Sequence, residues 1–225
     1  MNSENNKPIS VIVSPFFPFN RIFSNEIVYS LFGSTAYTPI FLDYSKDTTY
    51  DEFVLKISQI IINEKEPVYI VSFGVFSYVA GELVKRFSEK IKGVFFIEPD
   101  FYGTLLNGKY KRYGFGYKLR NQLLQFYLGS NKINKKYYYC ENYSGFLFFM
   151  KDLQLKEPVK LSDFIEKNVK MAVIWGVMAK DCWPLPQILT EEYEIPVFTA
   201  AHNFVDYFKK DCTSILNSIF EQSTF

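Results

Sequence analysis

The stretch Glu66–Phe87, EPVYIVSFGVFSYVAGELVKRF, decides how the rest of the chain is read. Its first half contains VYIVSFG, a β-branched and aromatic run of the kind that forms a fully buried strand. Its second half, VFSYVAGELVKRF, carries apolar residues at helical spacing and ends in Lys, Arg and Phe. Strand therefore passes into helix through a sharp turn, and turns of this kind can hold a nucleophile above a sheet. The residue where that nucleophile would stand is Gly74.

Outward from this turn the same alternation recurs. On the N-terminal side, PISVIVSPF reads as a central strand, NEIVYSLFG as a helix stopping at Gly33, and AYTPIFLDYS as a second strand. TTYDEFVLKISQIIINEKEP opens with Thr and acidic residues, continues as an apolar helical stripe and ends before Pro67. On the C-terminal side, IKGVFFIEP is a fourth strand. The rhythm is lost from about 101 to 168 and returns with NVKMAVIWG, EIPVFTAAHNF and a closing helix, FKKDCTSILNSIFEQ. Strands alternating with helices predict right-handed crossovers and a mostly parallel sheet covered on both faces, a three-layer α/β/α sandwich. The 225 residues suffice for one such domain, with 101–168 read as a lid inserted over the carboxyl edge of the sheet.

Composition narrows the function classes. The chain is 48% hydrophobic and 22% charged with a formal net charge of +1, which gives no global electrostatic case for nucleic acid or an anionic membrane. No apolar run approaches the roughly 18 residues of a spanning helix. The N-terminal MNSENNKPIS lacks the basic start and apolar core of a secretion signal, so a cytoplasmic location is expected. Cys140, Cys182 and Cys212 have no metal-type spacing and do not suggest a disulfide framework; no metal or cofactor is expected.

Open parallel sheets bind ligands at the carboxyl ends of their strands. Three such ends, VSFGVF, VIWGVMAKDCWP and FTAAHNF, carry the candidate chemistry. The last holds His202, the only histidine in the chain, and the one before it holds Asp181. An imidazole oriented by a carboxylate is what a general base requires.

These three segments together resemble the α/β-hydrolase superfamily, specifically a small esterase- or thioesterase-like member. The similarity covers about 8–101 and 168–222. AVIWGVMAKDCWP resembles the segment bearing the triad acid, and PVFTAAHNFVDYF the terminal segment bearing the histidine, with Ala201 in place of the usual glycine. YIVSFGVFSYVAGELV resembles the nucleophile elbow, whose pattern is G-x-S-x-G followed by a helix. Laid on that pattern, Ser72 takes the first glycine, Gly74 the nucleophile and Phe76 the last glycine.

Three explanations of Gly74 stand side by side. A register two residues earlier would make Ser72 the nucleophile. A serine could have been replaced by glycine to hold a substrate. Otherwise glycine is natural, and the protein either performs acid–base chemistry with His202 and Asp181 alone or is a non-catalytic relative. The resemblance also implies an oxyanion site built from the amides of Val75 and of Phe16 or Phe17. Where the superfamily shows His-Gly after its first central strand, this chain has Ser14-Pro15, and Phe76 in place of glycine is expected to crowd the approach.

The insertion is locally basic. Lys109, Lys111, Arg112, Lys118, Arg120, Lys132, Lys135 and Lys136 fall between Thr104 and Cys140 with no Asp or Glu among them. Such a face suits an acyl carrier protein or the phosphates of coenzyme A; a solvated lid surface is the plainer reading. The interleaved aromatics suit an apolar pocket for a fatty acyl, polyketide or aromatic substrate. The expected function is accordingly an α/β-hydrolase-fold enzyme acting on a hydrophobic ester, thioester or related carbonyl compound. The alternative is a pseudoenzyme that binds or scaffolds.

Overall fold

The computed structural model describes residues 9–14, 37–42, 48–97, 99, 148–149, 152–153, 156, 166–167, 169–176 and 197–200. Each of the six apolar runs read as strands forms one: β1 (Ile9–Val13), β2 (Tyr37–Phe41), β3 (Val68–Phe73), β4 (Ile91–Ile97), β5 (Lys170–Gly176) and β6 (Val197–Ala200). They build a single sheet in the order β2-β1-β3-β4-β5-β6, and every neighbouring pair is parallel. Pro39 sits in β2, the outermost strand on its side among those described, where a missing N–H does not break an interior ladder. The helices expected over 25–33 and 208–222 lie outside the described residues.

Strand composition follows from burial on both faces. Ile12, Val68, Ile70, Val94, Phe96 and Val173 point to one side and join the main core cluster. The alternate residues Val11, Val13, Val71, Phe73, Phe95 and Ile97 are equally buried. A sheet covered on both sides has no polar face to encode, which is why these strands read as continuous apolar runs. One residue departs: the β3–β4 register slips so that Val68 pairs with Ile91 and Tyr69 with Gly93. Lys92 is thereby left unpaired and exposed, with its ammonium 5.5 Å from the Tyr69 ring centre.

Helix α1 (Tyr50–Asn63) buries Tyr50, Phe53, Val54, Ile57 and Ile61, the spacing of one helical face. Thr49 caps it: its hydroxyl accepts from the Glu52 amide, while the Glu52 carboxylate accepts from the Thr49 amide at 2.9 Å. The bonds from Thr49, its backbone amide first, hold the Glu52 carboxyl below the ordinary glutamate range. At the other end Lys90 donates to the carbonyls of Ile62 (3.0 Å) and Glu64 (3.2 Å), so a cation closes the negative end of the helix. Buried Ser58 satisfies its hydroxyl on the Val54 carbonyl, 2.8 Å away.

Helix α2 (Ser77–Phe87) packs against α1 and against β3 and β4, which is why most of its residues are buried. Tyr50 donates its hydroxyl to the Tyr78 carbonyl at 3.1 Å, joining the two helices. Burial, reinforced by the charges of Glu82 and Asp51, pushes the Tyr50 phenol well above its ordinary range.

Part of the segment expected as an insertion belongs to this core. Phe149 and Leu153 are fully enclosed, and the Phe149 ring meets Phe53 edge-on at 5.6 Å. Asp152 accepts from the Tyr50 amide at 2.6 Å, taking an N–H that the first turn of α1 cannot satisfy itself. Lys156 pairs with Asp51 at 2.7 Å beside it. The remainder of 101–168, apart from Phe148, Glu166 and Lys167, lies outside the described residues.

Candidate functional site at the strand-to-helix elbow

The turn at Gly74 is tight. β3 ends at Phe73, a single 3-10 turn spans Gly74–Phe76, and α2 begins at Ser77. Gly74 has φ 53°, in the left-handed region. An L-residue with a Cβ pays roughly 1–2 kcal/mol there, and glycine none. The backbone is therefore bent as a nucleophile elbow requires, and the residue at the bend has no side chain.

Topology places this bend where open α/β sheets bind ligands. The chain runs from β1 outward to β2, then returns across β1 to β3. The order of connection reverses between β1 and β3, and Gly74 follows the carboxyl end of β3 at that switch point. Because all six strands are parallel, the ends of β5 and β6 face the same edge. Asp181 follows β5 after the short stretch 177–180, and His202 follows β6 with only Ala201 between. Both residues lie outside those described, as do Phe16, Phe17 and the basic residues Lys109, Lys111, Arg112, Lys118 and Arg120.

Three residues at the elbow itself can be placed. Ser72 lies within β3, opposite Phe96 of β4, on the same face as Val68 and Ile70. It is 1% exposed, and its hydroxyl has no hydrogen-bond partner among the described residues. Val75 is the middle residue of the 3-10 turn, immediately after the bend. The Phe76 ring, expected to crowd the approach to the elbow, is buried. It stacks on Phe149 at 5.0 Å and lies 5.5 Å from Phe53. A bulky residue is accommodated here because Phe53 of α1 and Phe149 supply an aromatic socket for it.

A further residue at the switch point, Ser14, was legible in the sequence only as a departure from the superfamily's His-Gly. Ser14, just past β1, donates its amide to the Val71 carbonyl at 3.0 Å, and its hydroxyl accepts from the Phe73 amide at 2.9 Å. The neighbouring strand is fastened in the same place, with the Leu42 amide donating to the Val13 carbonyl at 2.8 Å. The signal was present as a serine followed by proline at a strand end, where a side-chain oxygen can stand in for backbone. Among the described residues no cluster of His, Cys, Asp and Glu could hold a metal ion, and no helix is long and apolar enough to cross a membrane.

No protein-family model matches the chain, and no curated protein matches it. Solved structures do. A carboxylesterase of Nitrososphaera gargenis is similar at TM-score 0.74 with 9% identity, over 98% of this chain and 91% of that one. A lipase-esterase related protein from Clostridium acetobutylicum is similar at TM-score 0.68 with 12% identity, over 96% of each chain. The enol-lactonase from Burkholderia xenovorans is similar at TM-score 0.68 with 9% identity, over 100% of this chain and 94% of that one. Six parallel strands, a switch point between the first and third, and a left-handed bend leading into a helix agree with these likenesses: the chain has the α/β-hydrolase fold.

Proposed function

We propose that this protein is an α/β-hydrolase-fold enzyme acting on a hydrophobic ester, thioester or related carbonyl compound, with His202 as general base and Asp181 as its orienting acid. The observation that carries this reading is the conformation of Gly74: φ 53° at the carboxyl end of β3, between strand and helix, at the switch point of the sheet. A nucleophile elbow needs that bend, and a random loop does not. The burial of Ser72 inside β3 favours Gly74 over Ser72 as the elbow residue. With no hydroxyl at position 74 the reaction proceeds without an acyl-enzyme. His202 would instead take a proton from the substrate or from water, as in a lyase or cyclase. The amides of Val75 and of Phe16 or Phe17 would receive the developing negative charge.

The basic residues of 101–168 would meet an acyl carrier protein or coenzyme A bearing the substrate. Turnover of a panel of acyl esters and acyl thioesters by the purified protein tests the reading. His202→Ala should lower any turnover by a factor on the order of 10²–10⁴, the usual contribution of a positioned base. Unchanged turnover in that variant would remove the dyad from the mechanism. The absent side chain at Gly74 also favours a second reading, a binding or scaffolding protein that keeps the fold and an apolar pocket. That reading predicts saturable binding of acyl compounds with no turnover of any of them.

A further inference from the structure

We infer that Ser14 is the positioning residue that sets the orientation of the elbow. In a regular parallel ladder, a residue whose amide donates to one carbonyl of the neighbouring strand offers its own carbonyl to the amide two residues further along. The Ser14 amide donates to Val71, so the next rung would join the Ser14 carbonyl to the Phe73 amide. The Phe73 amide donates to the Ser14 hydroxyl, at 2.9 Å and buried. A side chain thus completes the last rung between β1 and β3 at the point where the chain leaves β1 for Pro15.

The consequence falls on the bend. The amide held by Ser14 is that of Phe73, in the Ser72–Phe73 peptide one unit ahead of the bend, so it fixes the last residue of β3 from which the left-handed turn begins. On the other side the turn is wedged by Phe76 in its socket of Phe53 and Phe149. A glycine at φ 53° is free to rotate to many other conformations, so something outside it must select this one. Ser14 does so from the N-terminal side. Position 14 lies where the superfamily resemblance implies an oxyanion loop. The structure gives the hydroxyl found there a different task, holding the elbow strand.

This inference rests on the reading of Gly74 as an elbow, and its test uses a reporter placed at that residue. Gly74→Cys introduces a thiol whose alkylation by iodoacetamide is followed against pH. The plateau rate at high pH, where the thiol is fully ionised, reports how the bend presents it. The midpoint of the profile reports the base that ionises it, and so belongs to the reading of His202. Adding Ser14→Ala should change the plateau rate by roughly tenfold, the scale expected for losing one buried hydrogen bond. Ser14→Thr, which keeps the hydroxyl, should restore the rate.

Should Ser14→Ala not fold, the near-isosteric pair Ser14→Thr and Ser14→Val decides the matter, since the second exchanges only the hydroxyl of the first for a methyl group. Equal plateau rates in the members that keep and lack the hydroxyl would overturn the inference, even with lowered thermal stability. A midpoint at the ordinary cysteine value in Gly74→Cys, with a plateau still sensitive to Ser14, would count against the catalytic base and leave the positioning role standing.

Discussion

A side chain at position 74 would have to sit on a backbone with φ 53°, and this requirement makes the residue informative in both directions. Gly74→Ala should destabilise the fold by about 1 kcal/mol in urea unfolding, the cost of placing a Cβ in the left-handed region. No loss, or a gain, would mean that the bend relaxes out of that conformation. The cost is small enough for a nucleophile to be tolerated, so the absence of one does not follow from backbone sterics. Gly74 was legible in the sequence because a buried strand and an amphipathic helix abut with no loop between them. Ser14 and Phe76 were less so. Each was read against the superfamily pattern as a defect, a missing His-Gly and a crowded approach. In the structure Ser14 accepts the Phe73 amide and Phe76 fills an aromatic socket. A departure from a pattern reports only what is lost there, whereas contacts report what the new residue does.

Helix α1 shows which parts of an element are local and which are not. Its start was readable from Thr followed by acidic residues, and Thr49 and Glu52 form the expected reciprocal cap. Thr49→Ala should cost about 1 kcal/mol of stability, measured by chemical denaturation. Glu52 adds a pH dependence whose sign is fixed. Its carboxyl is held below its unfolded value of about 4.3, so its contribution is present above that pH and fades as pH falls through the folded value. Glu52→Gln should flatten the acid limb of the stability profile, and an unchanged limb would remove the cap from the account. What the sequence could not show is Asp152, which takes the Tyr50 amide from 102 residues away. No periodicity links positions so distant. The aromatic, basic stretch around them was read as one insertion, although Phe149 and Leu153 lie in the core. Phe149→Ala should cost about 3–5 kcal/mol, the usual range for emptying a buried aromatic site. A loss below about 1 kcal/mol would contradict the packing of this segment beneath the elbow.

At the scale of the whole molecule, the described residues form six parallel strands whose carboxyl ends share an edge, with the connection reversing between β1 and β3. The sheet was legible because burial on both faces leaves β1, β3, β4 and β5 as apolar runs, and every run read as a strand formed one. Asp181 and His202 were legible only as positions along the chain, since the ends of β5 and β6 fix where the following residues begin and not where their side chains go. The central claim is that Gly74 occupies the place of a nucleophile in an otherwise formed elbow. Its most direct test is labelling with a fluorophosphonate serine probe, followed by peptide mapping, of the native protein and of Gly74→Ser side by side. The account predicts no label on the native protein and a label at position 74 in the variant. Labelling of Ser72 in the native protein, or an unreactive hydroxyl in a folded Gly74→Ser variant, would contradict it.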